Sequence, residues 1–254
     1  MTLSDQFLAT ARKLADERPD RKVPSPSSGQ RCTRENWFKA HGFPKTHQPD
    51  NGESAISAET GRASEPFLTD ILLAMDPPLV VGVLFEAKDE DARELSEDEL
   101  AKVSMAGGQV DNIGITAEGE HVLIEYKRKG TFGYLDLLRK GLREGAEDDY
   151  MQMQALMAGK ELKRGLYIAA NFDRSALTAN TRKWDERPNG VHIEWVDFSP
   201  AAAKAAKQRA EMQQGYIDGE ADPAKVPRDY DPFGKDARFP CGWCVFFPTC
   251  KEAR

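Results

Sequence analysis

The sequence predicts an α/β protein with a small mixed central sheet flanked by helices. Apolar and polar residues alternate over residues 109–115 and 121–127, which is typical of two strands, and residues 116–120 between them suit a hairpin connection. A long helical pattern over residues 134–158 follows, and then two apolar stretches that are typical of buried strands. A hairpin, a helix and further strands in that order indicate an α/β fold.

The other elements follow from the same periodicities. Residues 42–60 are polar and contain Gly, Pro, Asn and Asp, so they are predicted to form an irregular loop. Pro77 and Pro78 end the helix that precedes the first strand. In chain order, helices are predicted over 3–17, 31–41 and 61–75, strands over 79–85, 165–170 and 191–198, and a last helix over 200–214.

Composition narrows the class of protein. The 254 residues carry a net charge of −7, which argues against a protein that coats nucleic acid non-specifically but leaves room for a local basic groove. No apolar run approaches the length of a membrane span, and the N-terminus lacks the features of a secretory signal. We therefore expect a cytoplasmic protein with no membrane association.

Three residues of the predicted hairpin form the first candidate site. Glu125 and Lys127 are two apart in a strand and share a face, and Asp111 on the preceding strand can lie beside Glu125. Two carboxylates suit Mg²⁺ or Mn²⁺, which lowers the pKa of a water and polarises a phosphoryl oxygen, while an ammonium stabilises developing charge. These groups together are suited to the hydrolysis of a phosphodiester. The alternative is a charge pair that stabilises the sheet modestly.

Four cysteines form the second candidate site. Cys32 stands alone near the start, whereas Cys241, Cys244 and Cys250 lie together at the end of the sequence. Four thiolates suit tetrahedral zinc or an iron–sulfur cluster, and would join the N-terminal region to the C-terminus. Zinc sites usually take two short pairs, which this spacing lacks. The alternative is four unligated thiols that behave as small hydrophobic groups.

These residues resemble the PD-(D/E)xK nuclease superfamily, in particular its RecB-like and phage-exonuclease branches. Asp111, Glu125 and Lys127 match the family's D…ExK residues. The segment 25–38 looks like the entry helix of RecB-like nucleases, and the segment 61–68 is similar to the helix that supplies a further acidic metal-site residue, here Glu65.

The resemblance continues in the residues after the hairpin. The helix that carries Gln152 and Gln154, with the strand after it, is similar to the glutamine-bearing helix and next strand of lambda-type exonucleases. RecB-like glutamine motifs usually have a tyrosine four residues further on, whereas this chain has Leu156 and Ala158 at those positions. We favour Gln152 as the functional glutamine, because its distance to the following strand suits the phage pattern, with Gln154 second.

The resemblance implies a restriction-endonuclease-like core and a Mg²⁺- or Mn²⁺-dependent DNA exonuclease that acts on single-stranded DNA or DNA ends. Lys127 would orient the attacking water, and Gln152 would position the substrate or the water. The metal ligands would be Glu65, Asp111, Glu125 and the backbone carbonyl of Tyr126.

The cysteine spacing closely resembles the [4Fe–4S] arrangement of iron–sulfur RecB-like nucleases, among them CRISPR-associated adaptation nucleases. In that family the cluster clamps the C-terminus over the N-terminal helix and is chiefly structural. The resemblance implies an iron–sulfur clamp held by Cys32, Cys241, Cys244 and Cys250. It also implies one nuclease domain over 1–254, with a helical region over 1–60, the core over 61–200 and a C-terminal helix with the cysteine tail over 201–254.

Nucleic-acid contacts are expected at the basic run Lys127–Lys129, and stacking on unpaired bases at Trp37, Phe132 or Tyr134. A protein partner in recombination, repair or CRISPR adaptation is expected from the resemblance, and no residue indicates an oligomeric state. Two alternatives remain open. In the first alternative, the protein is a non-catalytic iron–sulfur scaffold that binds DNA and has the same fold. In the second, it is a zinc-bound interaction protein.

Overall fold

The computed structural model describes residues 2, 7–8, 10–13, 25–47, 53–84, 112–171, 189–237 and 239–253. Asp111 and the acidic segment 86–99 lie outside these ranges. Within them, no helix combines the length and the apolar character that crossing a membrane requires.

The chain divides into two compact units. The first unit combines Met1–Ala63 with Gln208–Arg254, and the second is the continuous segment Ser64–Lys207. Five of the predicted site residues that the structure describes belong to the second unit, namely Glu65, Glu125, Tyr126, Lys127 and Gln152, and all four cysteines belong to the first. The prediction of a single nuclease domain stays a prediction.

The second unit contains a five-stranded mixed sheet in the order β1-β2-β3-β4-β5. β3 and β4 are parallel, and the other neighbouring strands are antiparallel. The predicted hairpin is confirmed, because Ile115 pairs with His121 across the turn. The strands are β1 (Gly82–Leu84), β2 (Asn112–Ile115), β3 (His121–Arg128), β4 (Arg164–Ala170) and β5 (Val191–Asp197).

Both faces of the sheet are buried, which explains the almost continuous apolar runs in β3 and β4. On one face Ile124, Leu166 and Ile168 pack with Leu72 of a helix that precedes the sheet. On the opposite face β3 and β4 pack against two helices that connect them. Because successive strand residues point to opposite faces, β3 contributes to both layers of the core.

The helices of the described residues agree with the predictions in position but not always in extent. The segment predicted as one long helix, 134–158, is two helices that meet at Ala146. Gly141 lies in the first of them with φ of 72°, a conformation that glycine adopts readily, and it kinks that helix. The helices are α1 (Thr33–Ala40), α2 (Glu53–Ala74), α3 (Thr131–Gly145), α4 (Glu147–Gly159), α5 (Pro200–Gly219) and α6 (Phe247–Glu252).

The predicted loop over 42–60 is wrong in its second half, because α2 begins at Glu53 rather than at Gly61. The segment 53–60 contains Ala and Glu, which favour a helix, and the glycine that follows weakens a helix without ending it. α2 also accommodates Pro66 within its length.

The first unit has its own apolar core. Trp37 and Phe38 of α1 are almost completely buried against Val226 and Phe246, which belong to the C-terminal segment. Two short 3₁₀ turns, Pro223–Lys225 and Cys241–Trp243, lie in that segment. The N-terminal and C-terminal parts of the chain therefore complete one core.

Candidate functional site

Glu125 is the centre of the first candidate site. Its side chain is only 1% exposed, at the point where β3 leaves the apolar core. Lys127 forms an ion pair with Oε1 of Glu125, and Gln152 Nε2 donates a hydrogen bond to the same oxygen at 2.7 Å. The structure thus brings together a carboxylate, an ammonium and an amide that the sequence predicted to act together.

The local sequence explains why these three side chains meet. Glu125 and Lys127 are two apart in β3 and lie on the face that α3 and α4 cover. Met153 and Leu156 are buried in the core beneath α4, so the neighbouring Gln152 lies close to the sheet. Gly165 permits this close approach, since a Cβ there would lie 2.7 Å from Cε of Met153.

Tyr126, between the two charged residues, points to the opposite face of the sheet. Its hydroxyl lies 2.8 Å from Oγ1 of Thr69 on α2, and the amide of Asn112 donates to the same Thr69 oxygen at 3.2 Å. Thr69 in turn donates to the backbone carbonyl of Glu65 at 2.9 Å. Glu65 therefore lies one helical turn before Thr69, through which α2 is hydrogen-bonded to β3.

Asp111 lies outside the described residues, so its predicted place beside Glu125 stays a prediction. Asn112, the next residue, pairs with Ile124, the residue before Glu125. The predicted roles of Glu65 and of the Tyr126 carbonyl as metal ligands likewise stay predictions. In the part of the chain that the structure describes, no three His, Cys, Asp or Glu side chains are placed to hold one metal ion.

Gln152 and Gln154 have different environments, although the sequence left both in consideration. Gln154 is fully buried, donates to the carbonyl of Asp197 at 3.0 Å and accepts from the backbone amide of Ser199 at 2.7 Å. It joins α4 to the end of β5, whereas Gln152 contacts Glu125. The structure therefore places Gln152, and not Gln154, at the acidic–lysine site.

Asp149 makes a second polar contact between α4 and the sheet. The Tyr167 hydroxyl donates to Oδ2 of Asp149 at 2.6 Å, and Lys129 Nζ lies 2.5 Å from the same oxygen. Burial, and then the Asp149 carboxylate, raise the pKa of Tyr167 well above its usual value, which keeps the phenol protonated. Tyr167 pairs in the ladder with Glu125, so the two polar contacts are neighbours.

The four cysteines surround one cavity in the first unit. The cavity has a volume of about 50 Å³, and Cys32, Cys241, Cys244 and Cys250 all line it. Phe38 and Phe247 close it with apolar surface, and Glu35 and Arg228 contribute charge. Residues from the two ends of the sequence thus line the same cavity, and the metal centre predicted there stays a prediction.

The cysteines also influence one another's ionisation. Burial raises the pKa of Cys241 to about 11, and the neighbouring Cys32 and Cys250 add to the shift. Burial raises the pKa of Cys244 to about 12, with contributions from the Glu35 carboxylate, Cys32 and Cys250. Four thiols this close would repel one another as thiolates, and a cationic centre would remove that repulsion.

The Arg34 side chain connects the segment that carries Cys32 to the C-terminal segment through hydrogen bonds. It is 4% exposed and donates to the carbonyl oxygens of Val226 at 2.9 Å and Ala253 at 2.8 Å. Arg228 donates to the carbonyl of Cys250 at 2.6 Å. The cavity is therefore held by hydrogen bonds that do not involve the thiols.

Of the three aromatic residues predicted to stack on bases, two belong to the core. Trp37 is 1% exposed and donates to the carbonyl of Glu220 at 2.8 Å, and Tyr134 is fully buried with its hydroxyl on the carbonyl of Asn189. The sequence could not distinguish them, because aromatic residues suit both settings. Phe132, by contrast, is 87% exposed near the start of α3.

The sequence did not predict the hydrogen bonds that hold α2 and α4 against the sheet. Asp149 and Gln152 are three apart in a helix and therefore share a face, so their spacing offered a signal. Tyr167 and Thr69 gave none, because a buried tyrosine or threonine is indistinguishable from an ordinary core residue in sequence alone. Arg34 gave none either, because its burial depends on carbonyl oxygens of Val226 and Ala253, which lie far away in the sequence.

The fold defined by these elements is an α/β fold with a five-stranded mixed sheet flanked by helices. No protein-family model matches the sequence, and no curated protein matches it significantly. A solved structure, the crystal structure of SSO0001, is similar to it with a TM-score of 0.52 and 13% sequence identity, over 100% of this chain and 98% of that one. At this identity the similarity concerns the fold alone.

Proposed function

We propose that the protein is a metal-dependent DNA exonuclease of the PD-(D/E)xK type, with a restriction-endonuclease-like core and a structural [4Fe–4S] cluster. The observation that carries this proposal is the convergence of Lys127 and Gln152 on one oxygen of the buried Glu125 carboxylate. A buried carboxylate with an ammonium and an amide at the end of a core strand is an arrangement suited to phosphodiester hydrolysis.

The divalent ion of this proposal is Mg²⁺ or Mn²⁺, which carboxylate and carbonyl oxygens suit. Glu125 would hold it together with Glu65, Asp111 and the backbone carbonyl of Tyr126. When bound, such an ion supplies a Lewis acid that polarises a phosphoryl oxygen and acidifies a water. The part of the site that the structure describes fits this use, because the Glu125 carboxylate supplies hard-oxygen ligand atoms and belongs to a rigid strand.

The chain's own residues have defined parts in this proposal. Lys127 neutralises the buried Glu125 carboxylate and offers N–H donors to the attacking water or to the charge that builds on the phosphate. Gln152 holds one carboxylate oxygen of Glu125 in place and so limits the rotation of that side chain. Both side chains belong to regular elements, which keeps their geometry fixed.

The cysteine cavity supports the second half of the proposal through the chemistry of its donors. Four thiols around one cavity suit a [4Fe–4S] cluster, which four cysteine thiolates would hold. Cys32, Cys241, Cys244 and Cys250 would be the ligands. The cluster would complete the contact between the N-terminal and C-terminal segments of the first unit.

Single-stranded DNA or DNA ends are the proposed substrate. Arg128 is exposed at the end of β3, and Phe132 presents a bare aromatic ring a few residues further on. A basic groove with an aromatic ring suits the backbone and the bases of an unpaired strand. Cytoplasmic location and a partner in recombination, repair or CRISPR adaptation belong to the same proposal.

A cleavage assay on single-stranded and double-stranded DNA labelled at either end tests the proposal. Wild-type protein purified without oxygen is compared with Lys127→Ala in Mg²⁺, Mn²⁺ or EDTA. We expect degradation from an end that requires the ion and is lost in Lys127→Ala. Lys204→Ala, which removes an exposed ammonium of the same unit, is the matched control and should cleave like the wild type.

Two measurements on the same samples make the result decisive. Thermal unfolding shows whether Lys127→Ala remains folded, since removal of one partner from a buried ion pair destabilises a protein. Iron, sulfide and zinc analysis identifies the metal at the cysteines. DNA binding with iron present but no cleavage would replace the nuclease with the non-catalytic scaffold, and zinc without iron would favour the interaction protein.

A further inference from the structure

Asp149 connects α4 to two strands at once. Its Oδ2 accepts the Tyr167 hydroxyl of β4 at 2.6 Å and pairs with Lys129, directly after β3, at 2.5 Å. Tyr167 is fully buried, and the side chains of Asp149 and Lys129 are only 13% and 21% exposed. Hydrogen bonds to a carboxylate in such a partly desolvated setting are stronger than ordinary ones.

α4 needs such a connection at its first turn. The helix begins directly after the break at Ala146, and no side chain caps its N-terminus. An uncapped first turn that follows a break has little intrinsic preference for one orientation. The core contacts of Met153 and Leu156 hold the middle of the helix, and the contacts of Asp149 hold its first turn against β3 and β4.

The orientation of α4 decides what Gln152 can contact. Asp149 and Gln152 are three residues apart and lie on the same face of the helix. Gln152 donates to Glu125 at 2.7 Å, and Glu125 is the ladder partner of Tyr167. The helix is therefore held to neighbouring strand positions at two points, one turn apart.

We propose that Asp149, held by Tyr167 and Lys129, is the positioning residue that places the Gln152 amide on the Glu125 carboxylate. This inference rests on the proposed nuclease function, because it assigns the orientation of Glu125 to a residue that touches neither metal nor substrate. Loss of the Asp149 contacts leaves the sheet intact but frees the first turn of α4. Glu125 then loses the amide that restrains one of its oxygens.

The test uses variants that keep the shape of the side chains. Tyr167→Phe removes only the hydroxyl, and Asp149→Asn removes the charge that pairs with Lys129. Glu147→Gln makes the same acid-to-amide change at an exposed position of the same turn and is the matched control. We expect both contact variants to raise the half-saturating Mn²⁺ concentration by about 10-fold or more, as loss of a residue that orients a metal ligand does.

Three readouts separate positioning from a general loss of stability. Mn²⁺ binding is measured by calorimetry without DNA, and hydrogen–deuterium exchange of residues 147–153 should rise in both variants but not in Glu147→Gln. A double-variant cycle then combines Asp149→Asn with Gln152→Ala. Because Asp149 acts through Gln152, the double variant should be no worse than Gln152→Ala alone.

The outcomes separate this inference from the function on which it rests. If the wild type neither binds Mn²⁺ nor cleaves DNA, the proposed function fails and the inference falls with it. If the wild type is active but Tyr167→Phe and Asp149→Asn behave like Glu147→Gln, only the inference fails. Multiplicative effects of Asp149→Asn and Gln152→Ala would also overturn it, because two independent roles would then be acting.

Discussion

The acidic–lysine site and the cysteine cavity are assembled in opposite ways. Glu125 and Lys127 are two residues apart in one strand, and only Gln152 must be brought to them from another element. The cavity, in contrast, takes Cys32 from the start of α1 and three cysteines from a segment far away in the sequence. The acidic–lysine site is mostly a consequence of local strand geometry. The cysteine cavity exists only after the N-terminal and C-terminal segments have packed together.

The two sites therefore depend on different interactions. A strand places its i and i+2 side chains together wherever the strand forms, so the first site depends on the sheet core and on the position of α4. The cavity depends on contacts such as those of Arg34 with Val226 and Ala253. We therefore expect each site to be damaged by changes that leave the other unchanged.

The largest effect is expected from Glu125→Gln. The change keeps the size of the side chain but removes the negative charge that a divalent ion and Lys127 require. Cleavage should fall by at least about 10²-fold, the scale of losing one charged group at a catalytic centre. End-labelled DNA assays in Mn²⁺ measure this, and the iron content should equal that of the wild type.

Glu144→Gln, an exposed change on α3 in the same unit, is the control for Glu125→Gln. Cleavage by Glu125→Gln within tenfold of this control would contradict the proposed role of Glu125. A parallel loss of iron would instead contradict the independence of the two sites.

Cys244→Ser should have the next largest effect, and it should act on the other site. Loss of one ligand releases a metal centre, and such losses belong to the most destabilising single changes, about 4 kcal/mol or more. Iron and sulfide should drop below half of the wild-type content, with an early unfolding transition in calorimetry. Unchanged iron with unchanged unfolding would show that Cys244 is not a ligand.

Gln152→Ala and Gln154→Ala should have opposite consequences. Gln152→Ala removes the contact with Glu125 and should lower cleavage by about 10-fold with little change in stability. Gln154→Ala leaves the Asp197 carbonyl and the Ser199 amide without their partner, so it should lower the free energy of unfolding by about 1–3 kcal/mol. Urea unfolding and cleavage rates at 25 °C compare them. The reverse pattern would exchange the roles of the two residues.

Phe132→Ala should have the smallest effect, and only on binding. Its ring is 87% exposed, so removal should change the free energy of unfolding by less than about 0.5 kcal/mol. Affinity for single-stranded DNA should fall about fivefold, which corresponds to about 1 kcal/mol for one stacked base. Fluorescence anisotropy with labelled oligonucleotides measures it. Phe67→Ala, at a ring 65% exposed in the same unit, is the control, and equal affinities would remove Phe132 from the DNA path.

Periodic features of the sequence predicted much of this fold. The hairpin, β4, β5, α1 and α5 are where the alternation and the helical spacing place them, whereas α6 was not predicted. The break at Ala146 was missed, because Gly141 and Gly145 each lower helix stability only by about 1 kcal/mol, which does not by itself end a helix. Tertiary packing decides where the helix breaks. The pairing of Glu125 with Lys127 could be predicted because strand geometry is local.

Other parts of the sites could not be read from the sequence. The choice between Gln152 and Gln154 depends on how α4 rotates against the sheet, which Tyr167 and Asp149 influence from separate elements. Similarly, burial of Trp37 depends on Phe246, far away in the chain. Contacts between distant segments leave no periodic trace, so these residues needed the three-dimensional structure.

The discontinuous first unit has a consequence for how the protein is made. At about 5–20 residues per second, a ribosome needs roughly 10–40 s to proceed from Cys32 to Cys241. For most of this interval Trp37 and Phe38 lack Val226 and Phe246, and by its end the continuous segment Ser64–Lys207 has been synthesised. The sheet can thus form during translation, whereas the four thiols stay apart until Cys250 has been synthesised. The cluster proposed for these thiols could therefore be inserted only after the segment that carries Cys241, Cys244 and Cys250 has been made.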